Sequence, residues 1–117
     1  MKPTRDQARA AHAYDVVGRL PEDDIKNFKI VVNAFGTTVL RGGLCAAIAW
    51  AQRYHDPAAS RRLLEALSQA GLAGVGHVKA GDFPKKIREL APAGYMLATR
   101  DALAAIVWLR RAVQATG

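Results

Sequence analysis

Side chains that could perform chemistry are few in this sequence, and their spacing does not bring them together. The three histidines, His12, His55 and His77, lie in different segments, and none has a second ligand at a spacing typical of metal sites. We interpret them as solvent-exposed residues. Cys45 lies in the apolar run 44–51, where a thiol usually behaves as a buried core residue rather than as a nucleophile. We therefore predict no catalytic residue, no metal or cofactor site, and no enzymatic activity.

Two further motifs, which could in principle bind phosphate or a metal ion, are better explained by local structure. The glycines of segment 71–81 superficially resemble a phosphate-binding loop, but no predicted strand precedes them and no Gly-Lys-Ser or Gly-Lys-Thr follows. We interpret this segment as a flexible connector. The acidic residues 22–24 lie near the start of a predicted helix, where they offset the positive end of the helix dipole. This role is favoured over a magnesium site, which needs further oxygen ligands.

The positive charge of the chain is the strongest functional signal. Its 117 residues include 17 Lys and Arg against 10 Asp and Glu, which gives a formal net charge of +7. The pI is near 10.1. Such a balance favours a polyanionic partner, most often a nucleic acid.

Several predicted helices carry basic residues on one face, with few acidic residues between them. Each stripe taken alone is explained as the ordinary solvated face of an amphipathic helix. Taken together, the stripes favour contacts with phosphate groups. The stripes are formed by Arg5, Arg9 and His12 on helix 1 and by Lys26, Lys29 and Arg41 on helix 2, and local basic groups occur at Arg61-Arg62, Lys85-Lys86-Arg88 and Arg110-Arg111.

The last predicted helix also carries a small apolar patch on the side away from the core. Ala104 and Val107 lie between Arg100 and Arg111, and Trp108 lies at the edge of the patch. An apolar patch ringed by arginine is typical of a protein-docking surface or of a platform for stacked bases. The alternative is that Trp108 completes the core.

The first two helices are predicted from a capping box and a hydrophobic seam. Thr4 and Gln7 have the spacing of a capping box, which places the start of helix 1 at Thr4. Helix 2 is predicted over residues 21–41, because its apolar residues repeat at alternating steps of three and four. The β-branched segments 30–32 and 37–39 leave a strand as the alternative. The apolar seam consists of Ile25, Phe28, Val32, Phe35 and Val39.

Breaks and caps divide the rest of the chain into four more helices. Gly42-Gly43 ends helix 2, and Asp56-Pro57 is a typical helix-start pair. Pro92 and Gly94 are interpreted as the end of a short helix. The predicted ranges are 44–54 for helix 3, 58–70 for helix 4, 84–90 for helix 5, and from 95 or 99 to 115 for helix 6.

These elements predict an all-α fold, a compact bundle of about five to six helices that forms a single domain over residues 1–117. No apolar run is long enough to span a bilayer, and no signal peptide is recognisable at the N-terminus. The single cysteine cannot form an intramolecular disulfide. We therefore expect a cytoplasmic protein that contacts no membrane.

Three segments, in matching order and spacing, have the pattern of a known family. Segment 95–103 followed by 108–111 resembles the last helix of that family, Ala13-Tyr14 with Val17 resembles its first helix, and Gly43-Leu44 leads into a similar run over 46–50. The family is the small subunit of the type III-B CRISPR (Cmr) RNA-targeting effector complex. The resemblance extends from about residue 5 to residue 115.

This resemblance implies a helical bundle of which several copies stack along the effector filament, beside the backbone subunits that hold the guide RNA. It implies a non-catalytic scaffold in antiviral defence, whose partners are other effector subunits, guide RNA, target RNA and further copies of itself. RNA cleavage then belongs to other subunits. The positions that match the RNA-binding role are Arg5, Arg9, Lys26, Lys29, Arg41, Arg100, Arg110 and Arg111.

Two alternatives stay open at the level of sequence. The type III-A (Csm) small subunit is also helical and basic. An independent helical DNA-binding regulator is the second alternative, and it would need a recognition helix with base-reading side chains near its N-terminus. The predicted third helix is a poor candidate because it begins with apolar residues.

Overall fold

The computed structural model describes residues 2–116, and within that range the chain forms six α-helices and no β-strand. This confirms the predicted all-α bundle. Its buried side chains form one connected hydrophobic cluster to which all six helices contribute. The helices are α1 (Arg5–Gly18), α2 (Glu22–Gly42), α3 (Leu44–Gln52), α4 (Pro57–Ser68), α5 (Phe83–Arg88) and α6 (Pro92–Thr116).

Helix α1 begins at the predicted capping box. The backbone N–H of Gln7 donates to the Thr4 hydroxyl oxygen at 3.1 Å, and the backbone N–H of Thr4 donates to the Gln7 amide oxygen at 2.7 Å. Each bond satisfies a backbone group that has no partner inside the helix.

Removal of this cap is expected to have a small, measurable effect on stability. Thr4→Ala removes the hydroxyl acceptor, and we expect it to lower the free energy of unfolding by about 1 kcal/mol. Chemical denaturation followed by circular dichroism measures the change. Lys2→Ala, two residues earlier and also exposed, is the control and should leave the stability unchanged. An equal loss in both variants would contradict a capping role for Thr4.

Helix α2 is continuous, so the strand alternative for its β-branched segments is wrong. Its apolar seam faces the core, because Phe28, Val32, Phe35 and Val39 are buried. Ile25, the first residue of the seam, is half-buried. A period of three and four residues places all of them on one side of a helix, which no strand would do.

The predicted break between α2 and α3 occurs at Gly43. Its φ of 90° and ψ of 171° belong to a region that is essentially restricted to glycine. The backbone N–H of Cys45, just beyond the break, donates to the Tyr95 hydroxyl oxygen at 2.9 Å. This hydrogen bond ties the start of α3 to the first turns of α6.

Helix α6 begins at Pro92, which corrects the interpretation of Pro92 and Gly94 as a helix end. Proline fits the first turn of a helix because its missing N–H would have no intrahelical partner there. Gly94 lies in the same first turn, and the N–H of Tyr95 donates to the carbonyl oxygen of Ala91 at 2.8 Å. The helix is therefore one to two turns longer at its start than predicted.

Helices α2 and α6 run antiparallel and touch closely. A methyl group added to Gly36 in the middle of α2 would lie 3.3 Å from the Cγ2 atom of Ile106. Beyond the end of α2, Cys45 contacts Tyr95 near the start of α6. The later position in the chain, Cys45, therefore contacts the earlier residue of α6, as antiparallel helices require. The N-terminal half of α2 must therefore lie beside the C-terminal end of α6.

The glycine-rich segment 71–81 is a packed turn rather than the expected flexible connector. Leu72 and Val75 are 2% and 7% exposed, and both belong to the hydrophobic cluster. The N–H of Val78 donates to the carbonyl oxygen of Ser68 at 3.0 Å. The glycines provide the tight turn, while the residues between them provide apolar anchors, which composition alone did not reveal.

Candidate nucleic-acid interface

Four of the predicted RNA-binding residues line two clefts that have Gln114 in common. Lys26 and Lys29 line a cleft of about 480 Å³ together with Gln114 of α6. Gln114 also lines an adjoining cleft of about 250 Å³ with Arg110 and Arg111. We call the four cations the α2–α6 basic cluster. All four are exposed.

The cluster follows directly from the antiparallel packing of the two helices. Lys26 and Lys29 are one turn apart in the N-terminal half of α2, and Arg110 and Arg111 lie near the end of α6. Gln114 was not among the predicted site residues. Its spacing of four and three residues after the two arginines places it on their side of the helix, and this signal could have identified it.

The charge of the cluster is not balanced by local carboxylates. None of the ion pairs within residues 2–116 involves one of its four cations. Glu22 lines the same cleft as the two lysines without forming an ion pair with either. Exposed cations without an ion-pair partner attract polyanions over distances of about a Debye length.

Arg9, by contrast, is engaged inside the protein. Its guanidinium donates to the Asp101 carboxylate at 2.9 Å and lies 3.6 Å from that of Asp6. The side chains of Arg9 and Asp101 are only 21% and 17% exposed. Arg5, one turn earlier, is exposed and lines a separate cleft beside the glycine-rich turn. The basic stripe predicted on helix 1 therefore divides into one surface residue and one that joins α1 to α6.

Arg41 and Arg100 are exposed but lie apart from the basic cluster. Arg41 is 12 residues beyond Lys29, or about 18 Å along the axis of α2. Arg100 is 10 residues before Arg110, or about 15 Å along α6. Because the two helices are antiparallel, both arginines belong to the opposite end of this helix pair.

The predicted docking residues form a partly exposed patch beside the cluster. Val107 is 41% exposed, whereas Ala104 and Trp108 are half-buried. Trp108 packs against the hydrophobic cluster, and the guanidinium carbon of Arg111 lies 4.8 Å from its ring centroid, which is a cation–π distance. The indole thus contacts the core on one side and supports an arginine of the basic cluster on the other.

The histidines and the cysteine do not form a reactive centre in the described part of the chain. His55 and His77 are exposed, as predicted. His12 is half-buried, which corrects the prediction for this residue, and its Nε2–H donates to the carbonyl oxygen of Ala66 at 2.8 Å. Cys45 is half-buried rather than fully buried. Within residues 2–116, no group of three or more His, Cys, Asp or Glu side chains is placed to hold a metal ion.

Comparison with known proteins identifies the family of this fold and surface. The sequence matches the family described as CRISPR-associated protein (Cas_Cmr5) over residues 5–116. The chain belongs to the Cmr5 family. It is also similar to the X-ray crystal structure of a CRISPR-associated Cmr5 family protein from Thermus thermophilus, with 26% sequence identity, 97% of each chain covered and a TM-score of 0.83. No curated protein sequence matches it significantly.

Membership of the Cmr5 family confirms the resemblance seen in the sequence and favours type III-B over type III-A. It makes the chain a component of a multi-subunit CRISPR effector complex. The Cmr5 match extends over all six helices, including the packed glycine-rich turn. Of the helices that the structure describes, none combines the length and the apolar character needed to cross a membrane.

Proposed function

We propose that this Cmr5 family chain is a non-catalytic scaffold subunit of a type III-B CRISPR effector, and that it helps to hold guide RNA and target RNA. The observation that carries the proposal is the α2–α6 basic cluster, in which cations from two helices line two clefts that share Gln114 and form no ion pair among residues 2–116. Phosphate groups are the natural ligands of such a surface.

The residue types of the cluster suit backbone recognition rather than sequence reading. Lysine acts as a point charge toward phosphate, arginine offers a planar fork of donors, and the amide of Gln114 supplies a neutral donor. Contacts of this kind fix the position of a strand without reading its bases. A subunit that must accept any guide sequence needs this kind of contact.

The other predicted basic residues have different places in the proposal. Arg5, Arg41 and Arg100 are exposed and provide additional phosphate contacts away from the basic cluster. Arg9 has its guanidinium bound by Asp101, so in our proposal it supports the surface without touching RNA. This restricts the RNA-binding set to seven of the eight predicted residues.

We further propose that the patch formed by Ala104, Val107 and Trp108 contacts other subunits, including further copies of this chain along the filament. It lies beside the basic cluster and shares Arg111 with it through the cation–π contact. Docking at this patch would align the basic clusters of successive subunits along the RNA. The effector would act in the cytoplasm, which agrees with a free cysteine.

Binding of single-stranded RNA at several salt concentrations tests the proposal. Four phosphate contacts give a slope of log affinity against log salt of about −3, so affinity should fall about 50-fold between 50 and 200 mM salt. Fluorescence anisotropy of a labelled 12-nucleotide RNA measures the slope, and an oligonucleotide with an uncharged methylphosphonate backbone is the control. Added magnesium should yield no cleavage products. An affinity that does not change with salt would contradict the RNA-binding function. Cleavage products would contradict the non-catalytic role.

A further inference from the structure

A cluster of aromatic side chains lies in the last turn of α3 and in the loop that follows it, outside the residues assigned to the RNA-binding surface. The ring centroids of Trp50 and Tyr54 are 4.9 Å apart with the planes inclined at 50°, and those of Tyr54 and His55 are 4.3 Å apart at 45°. We call these three residues the α3 aromatic cluster. They line an open cleft of about 680 Å³.

Trp50 and Tyr54 are half-buried against the hydrophobic cluster, and small neighbours leave the rest of their rings accessible. Ala46 and Ala49 line the same cleft and are exposed. Long side chains on a helix lean toward its N-terminus, so the ring of Trp50 lies over the turn that contains these alanines. The three phenylalanines, by contrast, are each 0% exposed. The α3 aromatic cluster thus combines core packing with an open surface.

The other groups in the cleft are polar and basic. Arg53 is exposed and takes part in none of the ion pairs within the described residues. His55 adds an imidazole ring that can stack and donate a hydrogen bond. The large exposed aliphatic side chains, such as Leu40 and Met96, do not line this cleft. Aromatic faces next to a guanidinium are the combination that binds an unpaired base and its phosphate.

We propose that the α3 aromatic cluster is a stacking platform for an unpaired nucleobase of single-stranded RNA, with Arg53 contacting the adjacent phosphate. The inference rests on the proposed RNA-binding function and adds a contact to the base itself. Every base has a π-face, so the platform tolerates any sequence. None of its residues lines the two clefts of the α2–α6 basic cluster, so the two sites can be tested separately.

Tryptophan fluorescence reports directly on stacking at this platform. Trp108→Phe leaves Trp50 as the single tryptophan, because the chain has two. Titration of this variant with a 12-nucleotide oligouridylate should quench its emission, whereas an abasic ribose-phosphate chain of the same length should not. In the parent protein, Trp50→Leu should lower the affinity for oligouridylate about tenfold, and Trp50→Phe should retain most of it. Tyr54→Leu is an independent second variant, and circular dichroism verifies that each variant is folded.

The outcomes separate this inference from the proposed function. Salt-dependent RNA binding with equal affinity for base-bearing and abasic chains would overturn the platform and leave the proposed function intact. Quenching by oligouridylate with a salt slope no steeper than about −1, as expected from Arg53 alone, would support the platform and contradict RNA binding by the basic cluster. If Trp50→Leu alters only self-association, measured by sedimentation, and leaves RNA affinity unchanged, the cleft is a protein contact and the base-stacking proposal is wrong.

Discussion

Replacement of Lys26, Lys29, Arg110 and Arg111 together by alanine is expected to lower the affinity for single-stranded RNA about 600-fold at 0.1 M salt. Each phosphate contact on a single strand contributes a factor of about five at this concentration through counterion release. The slope of log affinity against log salt should change from about −3 to nearly zero, because the four contacts that produce it are removed. Fluorescence anisotropy with a labelled 12-nucleotide RNA measures both quantities.

A charge-matched variant distinguishes a local site from the general charge of the protein. Arg61, Lys85, Lys86 and Arg88 are exposed, and none lines the clefts of the α2–α6 basic cluster. Their replacement by alanine also removes four positive charges, so both variants have a formal net charge of +3 instead of +7. We expect a loss of less than about fivefold here, since only the long-range potential changes. Equal losses in the two variants would show that the basic cluster is not a site.

Local rules in the sequence account for most of the helical structure. The capping box at Thr4, the apolar repeat of α2 and the break at Gly43 each depend on residues within one or two turns, and the structure confirms all three. The errors occur where distant packing decides the outcome. The first turns of α6 are tied to Cys45 through the Tyr95 hydroxyl, and segment 71–81 is held by burial of Leu72 and Val75.

For the candidate site, too, the sequence predicted the exposure of single residues but not the contacts between helices. Helical phase predicted correctly that Lys26 and Arg111 are exposed. It could not predict that their clefts share Gln114, because this requires the antiparallel packing of α2 on α6. Nor could it separate Arg9 from Arg5, since the partner of Arg9 is 92 residues away in sequence. Exposure is encoded locally, whereas pairing and convergence are properties of the tertiary fold.

Asp101 is expected to be a principal polar contributor to stability. One carboxylate oxygen accepts from the guanidinium of Arg9 at 2.9 Å, and the other accepts from the backbone N–H of Ala73 at 2.8 Å. A single half-buried side chain on α6 therefore fixes α1 and the glycine-rich turn. Asp101→Ala leaves both donors without this acceptor, and we expect a loss of about 2–3 kcal/mol in the free energy of unfolding. For a domain of this size this corresponds to a fall in Tm of about 10 °C.

The contact between Arg9 and Asp101 also distinguishes a structural role of Arg9 from a role in RNA binding. Asp15 also pairs with an arginine, Arg19, at 3.1 Å, but both side chains are more than half exposed. Asp15→Ala is therefore the matched control, and we expect it to lower the free energy of unfolding by less than about 1 kcal/mol. Arg9→Ala, combined with Asp101→Ala in a double-mutant cycle, should give a coupling energy of about 1–2 kcal/mol. Because the guanidinium is already bound, Arg9→Ala should change RNA affinity less than about twofold. If Arg9→Ala lowers RNA affinity as much as Lys26→Ala does and shows no coupling to Asp101, then Arg9 belongs to the RNA-binding surface and the structural role is wrong.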